Sequence, residues 1–233
     1  MKNLFSGVLV LMLSLPLSGC FGFFEDSGGS GATKSPQSSK SSNENVRTQI
    51  NLAMAHLMEG NYALALPELQ KAQEMDPKNA DLENFLGLAY YGLKDYGQAV
   101  TSYQKALSLN PQRSDVHNNL GLVYLAQRDY ELALAEFNTC LNDPDYQKKQ
   151  LPLSNLGLTC LEMGRYNEAL SALNQAVQTA PDYAKAYQLI GRVYLAQGNN
   201  SKALEQLNHA AQLDPGDPET LAAIEEVNAR LRR

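Results

Sequence analysis

The feature that most constrains this chain is a period. Residues 80–113 read ADLENFLGLAYYGLKDYGQAVTSYQKALSLNPQR, and residues 184–217 read AKAYQLIGRVYLAQGNNSKALEQLNHAAQLDPGD. Both carry Leu-Gly or Ile-Gly, then a tyrosine three residues after the glycine, then a polar turn, and then alanine, a large apolar residue, alanine and proline at matched offsets. A period of this length is one supersecondary unit, which cannot bury its apolar face alone and must stack on copies of itself. Five copies can be counted, at residues 46–79, 80–113, 114–149, 150–183 and 184–217, the third being two residues longer. A last amphipathic segment, residues 218–233, is placed to close the stack.

Each recurrent residue has a physical reason. Gly87, Gly121, Gly157 and Gly191 lie inside helical patterns, where glycine costs about 1 kcal/mol relative to alanine. A missing side chain repays this by letting the second helix of the repeat approach. Ala99, Ala133, Ala169 and Ala203 are the small partners expected on that second helix, and Tyr103, Phe137, Leu173 and Leu207 the large fillers. Pro77, Pro111, Pro181 and Pro215 stop the second helix and turn the chain. The first copy departs from the plan: Ala53 takes the glycine place, His56 the tyrosine place, and Pro67 sits inside the expected second helix, which it should bend. The pattern resembles the tetratricopeptide repeat. That resemblance implies an all-α, right-handed superhelical solenoid of about five repeats with a C-terminal capping helix.

The start of the chain is different. Lys2 is followed by an apolar stretch, Leu4 to Leu15, too short to span a hydrocarbon core of ~30 Å comfortably as a permanent helix. Leu17-Ser18-Gly19-Cys20 then resembles the bacterial lipobox. The resemblance implies a signal peptide over residues 1–19, cleavage before Cys20, and lipid on the sulfur and amino group of Cys20. An ordinary secretory signal with a chance cysteine is the alternative. Phe21, where aspartate would retain a lipoprotein at the inner membrane by enterobacterial sorting rules, implies the periplasmic face of the outer membrane. Each buried methylene contributes about 0.8 kcal/mol, so several acyl chains give a stable anchor. Residues 20–45 are rich in Gly, Ser and small polar residues. They read as a flexible tether, which as a coil reaches roughly 25–30 Å.

Charge and motif spacing exclude several functions. The net charge is −6, and the chain from Cys20 onward holds 18 basic and 25 acidic residues. With no basic stripe, nucleic acid is a poor partner. His56, His117 and His209 fall at unmatched repeat positions, and no metal-binding, nucleophile-elbow or phosphate-cradling motif occurs. No catalytic residue, metal or other cofactor is expected, and the chain reads as a binding protein, monomeric, rather than an enzyme. Cys140 and Cys160 are expected to be free thiols: their axial offset of about eight residues corresponds to roughly 12 Å, beyond the ~7 Å between bridgeable Cα atoms.

Within the repeat template, the first helices line an inner groove. Ile50, Met54, Leu57, Leu88, Tyr91, Leu122, Leu125, Leu158, Leu161 and Leu195 are its expected apolar residues, with Asn84, Asn118, Ser154, Gln188 and Arg192 its polar ones. The natural ligand is a protein segment with apolar side chains whose backbone the asparagines would hold. The carboxylate clamp of chaperone-tail receptors is not expected, because Ile50 and Met54 occupy its places in the first copy. Residues 117–146, HNNLGLVYLAQRDYELALAEFNTCLNDPDY, followed by the insertion and LSNLGLTC, resemble the type IV pilus pilotin group of lipoproteins. Asn118, Asn119, Gly121, Asp143, Pro144, Tyr146, Asn155 and Gly157 carry the likeness. Gln147-Lys148-Lys149 departs from it, since prolines often stand there, and the family's cysteine partner for Cys160 is missing. The resemblance implies an outer-membrane pilotin that promotes multimerisation of secretin subunits in pilus biogenesis. A general periplasmic scaffold for envelope or cell-wall enzymes is the alternative.

Overall fold

The computed structural model describes residues 37–232. The expected signal peptide, Cys20 and the tether up to residue 36 lie outside the described residues. Among those described, the chain forms eleven helices: α1 (Gln37–Met58), α2 (Tyr62–Met75), α3 (Ala80–Gly92), α4 (Tyr96–Leu109), α5 (Ser114–Gln127), α6 (Tyr130–Leu141), α7 (Gln150–Glu162), α8 (Tyr166–Thr179), α9 (Ala184–Ala196), α10 (Asn200–Leu213) and α11 (Pro218–Leu231). The first ten form five hairpins that match the five sequence copies, and α11 packs on α10 at the end of the stack. None is long and apolar enough to cross a membrane.

Packing inside the second to fifth hairpins follows from their glycines. A Cβ at Gly87 would lie 2.5 Å from the Tyr103 ring, and one at Gly121 2.6 Å from Phe137. Gly157 and Gly191 stand in the same relation to Leu173 and Leu207, at 2.5 and 2.6 Å. The four filler side chains and the four alanines one turn before them are all buried. In α11 the corresponding place is taken by Glu225, which is exposed, and among the described residues α11 packs on α10 and α9. Gly92, which the sequence pattern does not single out, is a further close approach, with the Tyr62 ring of the preceding repeat against it.

The turn inside each hairpin is the same in all five copies. Its central residue is left-handed: Gly60 (φ 74°), Lys94 (61°), Arg128 (65°), Gly164 (74°) and Gly198 (76°). Four connections between second and next first helices begin with a proline just past the helix cap, as Asp76-Pro77, Asn110-Pro111, Ala180-Pro181 and Asp214-Pro215. Side-chain oxygens cap several of the following helices: Asn79 accepts from the Leu82 amide at 3.1 Å and Asp217 from the Thr220 amide at 2.9 Å.

One local expectation meets a different outcome. Residues 37–45, read as the end of the tether, belong to α1, which extends the first repeat helix by nine residues. A polar Ser/Asn stretch without Pro or Gly can continue a helix already nucleated by packing downstream, because propagation costs far less than nucleation. Pro67, expected to bend its helix, does not end it. It lies inside α2, yet α2 runs unbroken for 14 residues, the length of α4, α8 and α10. Buried Ala65, Leu69 and Ala72 on either side of it anchor the helix to the stack.

Candidate functional site: the inner face of the first helices

The first helices of neighbouring repeats pack side by side, α1 on α3, α3 on α5, α5 on α7, α7 on α9 and α9 on α11. Residues at equivalent offsets therefore form rows running across the repeats. Offsets five, nine and twelve share one helix face by their spacings of four and three. The fifth-residue row is Ile50, Asn84, Asn118, Ser154 and Gln188. The ninth-residue row is Met54, Leu88, Leu122, Leu158 and Arg192. The twelfth-residue row is Leu57, Tyr91, Leu125, Leu161 and Leu195.

These rows differ in depth. Every member of the ninth-residue row is partly exposed, as are Tyr91, Leu125 and Leu161 of the twelfth and Ile50 of the fifth. Leu57 and Leu195, at the two ends of the twelfth-residue row, are buried. So are Asn84, Asn118, Ser154 and Gln188. The expectation that Leu57, Asn84, Asn118 and Gln188 offer surface to a partner is therefore corrected: they belong to the packing between repeats.

The asparagines show why. The Asn119 amide of one repeat donates to Asn84 Oδ1 of the repeat before it at 3.1 Å. The Asn155 amide donates to Asn118 Oδ1 at 3.0 Å. A buried amide needs a partner, and here each finds one across the crevice between adjacent first helices rather than on a ligand backbone. In the fifth repeat the sixth residue is Leu189, which has no amide to donate. Ser154 Oγ is buried without a partner among the described residues. The Gln188 amide instead turns to Glu219 at 2.9 Å, leaving Gln188 Oε1 buried and unpaired. The signal that could have found this ladder is the adjacent polar pair at offsets five and six in the third and fourth copies, Asn118-Asn119 and Ser154-Asn155.

Charge on the inner face is mostly neutralised across repeats. Arg113 bridges Asp81 of its own repeat and Asp115 of the next, the latter at 2.7 Å. Lys185 meets Glu219 at 2.7 Å. Burial works against the Glu219 carboxylate, yet hydrogen bonds from Lys185 and Gln188 outweigh it and hold the carboxyl below its ordinary value. Arg192 differs: its contact with Glu162 is 3.6 Å, longer than a hydrogen bond, and both side chains are about 40% exposed.

Other chemistry-bearing side chains are dispersed. His117 pairs with Glu136 at 2.6 Å inside the third hairpin, and His209 meets the Tyr187 ring edge-on at 4.3 Å. His56 is partly buried in the first hairpin. Among the described residues, no group of three or more His, Cys, Asp or Glu is placed to hold a metal ion. Cys140 and Cys160 are free and buried, as their spacing predicts. Burial pushes the Cys140 thiol up to about 12, with Asp115 and Asp143 adding to the effect. Thiols so placed are inert packing groups.

Comparison with known proteins agrees with this architecture. Tetratricopeptide-repeat family patterns match residues 46–79, 87–128 and 161–226. The chain is 28% identical over 86 residues to the BBSome complex member bbs-4 of Caenorhabditis elegans, which covers 37% of this chain and only 19% of that protein. Its fold is similar to that of Pseudomonas aeruginosa pilF, with a TM-score of 0.70 at 22% identity over 82% of this chain and 86% of that one. It is equally similar to PilW, described as a widely conserved type IV pilus biogenesis factor, with a TM-score of 0.70 at 21% identity over 80% and 92% of the two chains. YrrB, described as a repeat protein with an unusual peptide-binding site, matches with a TM-score of 0.58 at 25% identity over 82% and 98%. The matched family patterns overlie the repeat period read from the sequence and the helix pairs of the structure, and the chain is built of tetratricopeptide repeats.

Proposed function

We propose that this chain is a lipid-anchored envelope scaffold of the pilotin kind, whose inner face binds an apolar segment of a secretin subunit and promotes secretin multimerisation in type IV pilus biogenesis. One observation carries the binding reading. Eight apolar side chains on the inner rows, Ile50, Met54, Leu88, Tyr91, Leu122, Leu125, Leu158 and Leu161, stay partly exposed, while the fifth-residue polar side chains Asn84, Asn118, Ser154 and Gln188 are buried. Apolar side chains aligned in rows across several repeats, each with some exposed surface, suit a protein segment with apolar side chains. The fold shared with pilF and PilW, and the Asn118 to Gly157 signature of the third and fourth copies, support the pilus assignment. Cys20 supplies the anchor at the periplasmic face of the outer membrane, and the segment after it holds the repeats off the bilayer.

The test is the double substitution Leu88→Glu with Leu122→Glu in cells. Secretin multimers are lost while the helical circular dichroism of the purified protein is unchanged. Wild-type multimer levels in that variant refute the inner face as the docking surface. Cross-linking from envelope fractions separates the pilotin from a general scaffold: secretin peptides support the former, cell-wall hydrolases or synthases the latter.

A further inference from the structure

The inner strip changes chemistry at one end. The ninth-residue row runs Met54, Leu88, Leu122, Leu158, and then Arg192 in the fifth repeat. We infer that the docked segment carries a side-chain carboxylate at one end of its apolar stretch, and that Arg192 receives it, so that the segment lies in one direction only. This rests on the inner face being the docking surface and adds to that reading the charge and polarity of the ligand.

The argument is one of complementarity. The other cations with acidic partners on this face are engaged at hydrogen-bond distance, Arg113 with Asp115 and Lys185 with Glu219, both at 2.7 Å. Arg230, on the closing helix, holds Glu226 at 2.7 Å. Among the described residues, the acidic group paired with the Arg192 guanidinium is half-exposed Glu162 at 3.6 Å, and the five N–H donors of the guanidinium in a planar fork fit a carboxylate on two of them. It stands next to Leu158 in the row, so an apolar side chain seated over Leu158 sets a neighbouring carboxylate within its reach. The opposite end of the row is Met54, whose side chain has no donor for a carboxylate; exposed Arg47 of the same helix lies seven residues before it, about two helical turns away. A segment docked in reverse would leave its acid beside Met54 and lose the pair.

The experiment is a selection of short random peptides displayed on phage against the full-length protein in detergent, repeated with Arg192→Glu and with Leu122→Glu. The wild type enriches peptides whose apolar run is flanked by Asp or Glu on one constant side. Arg192→Glu enriches the same apolar run flanked by Lys or Arg. A selected peptide synthesised with amidated ends binds the wild type about three- to fivefold more tightly at low salt than its Glu→Gln version, and Arg192→Gln removes that preference. Apolar peptides enriched without a constant acidic flank, or a preference for Glu that survives Arg192→Gln, overturn the role of Arg192 and leave the docking surface standing. Absence of any apolar family, or selected peptides that bind Leu122→Glu as well as wild type, overturns the docking surface itself and this inference with it.

Discussion

Lys94→Gly and Arg128→Gly are expected to stabilise the protein. Both residues sit at the centre of an intra-repeat turn at φ near +60°, where three sister repeats have glycine. A left-handed conformation costs an L-residue about 1–2 kcal/mol. Glycine removes that cost but adds about 0.4–1 kcal/mol through the greater freedom of the unfolded chain. The net gain is about 0.5–1 kcal/mol per site. Both side chains are exposed, so little packing is lost. The sites lie in different repeats and share no partner, so the double variant should gain about 1–2 kcal/mol. Urea unfolding followed by circular dichroism reads this as a raised midpoint at constant slope. The mirror experiment uses Gly164→Ala and Gly198→Ala. An added Cβ there meets nothing within 4 Å, so any loss is purely a backbone effect. If Lys94→Gly and Arg128→Gly leave the midpoint unchanged or lower it, while Gly164→Ala lowers it, the turn is not equivalent in the five repeats and the reasoning fails.

Three further outcomes follow from the geometry. Gly121→Ala drives a methyl into the Phe137 ring and should destabilise by about 1–2 kcal/mol despite its better helix propensity, read by the same urea titration; a neutral result would mean the hairpin is looser than drawn. The His117 imidazole is raised above its ordinary value by the hydrogen bond to Glu136, against opposing burial, with the Pro111 carbonyl and the charges of Glu136 and Asp115 assisting. Because the folded-state value is the higher one, its stabilisation is full below the unfolded value near 6.5 and fades as pH rises through the raised value. The stability gap between wild type and Glu136→Gln should therefore be wide at about pH 6 and narrow at about pH 8.5, whereas a constant gap would count against the pairing. Cys140 and Cys160 should resist a thiol reagent at about pH 8 until denaturant is added, and then both react. Absence of thiol in the denatured, unreduced chain would show a disulfide instead.

The hairpins were legible in the sequence because their constraint is steric and local to a few letters. A glycine in a helix, an alanine and a large filler at fixed offsets can satisfy close helix approach in few ways, and the proline beyond each second helix marks where it ends. The left-handed turn was only partly legible: Gly60, Gly164 and Gly198 announce it, whereas Lys94 and Arg128 adopt it without any mark in their identity. The extension of α1 back to Gln37 was hidden because Ser- and Asn-rich composition is shared by tethers and by the polar starts of helices. The site rows were legible as faces but not as depths. Offset fixes which side of a helix a residue occupies, while burial at the fifth residue depends on a neighbour supplied by the next repeat, as Asn119 does for Asn84 and Asn155 for Asn118.

That split in depth bears on why the inner face is apolar at all. The stack is held by residues at other offsets: glycines against fillers, alanines, and the buried first-helix residues Leu82, Leu86, Val116, Leu120 and Val193. The fifth-residue row ties neighbouring repeats through side-chain amides. The ninth-residue row does less of either job: its members remain partly exposed in all five repeats, although Leu88 and Leu158 also pack in part against the core. Folding by itself would accept polar residues there, and does accept Arg192. Three leucines and a methionine at the other four places forgo the solubility that polar residues would give, on a face where leucine and tyrosine at the twelfth offset already widen the apolar surface. Packing against the core accounts for part of that apolar character, and the exposed remainder suits a ligand with apolar side chains. The single departure from it, Arg192, is then the residue from which the ligand's direction can be read.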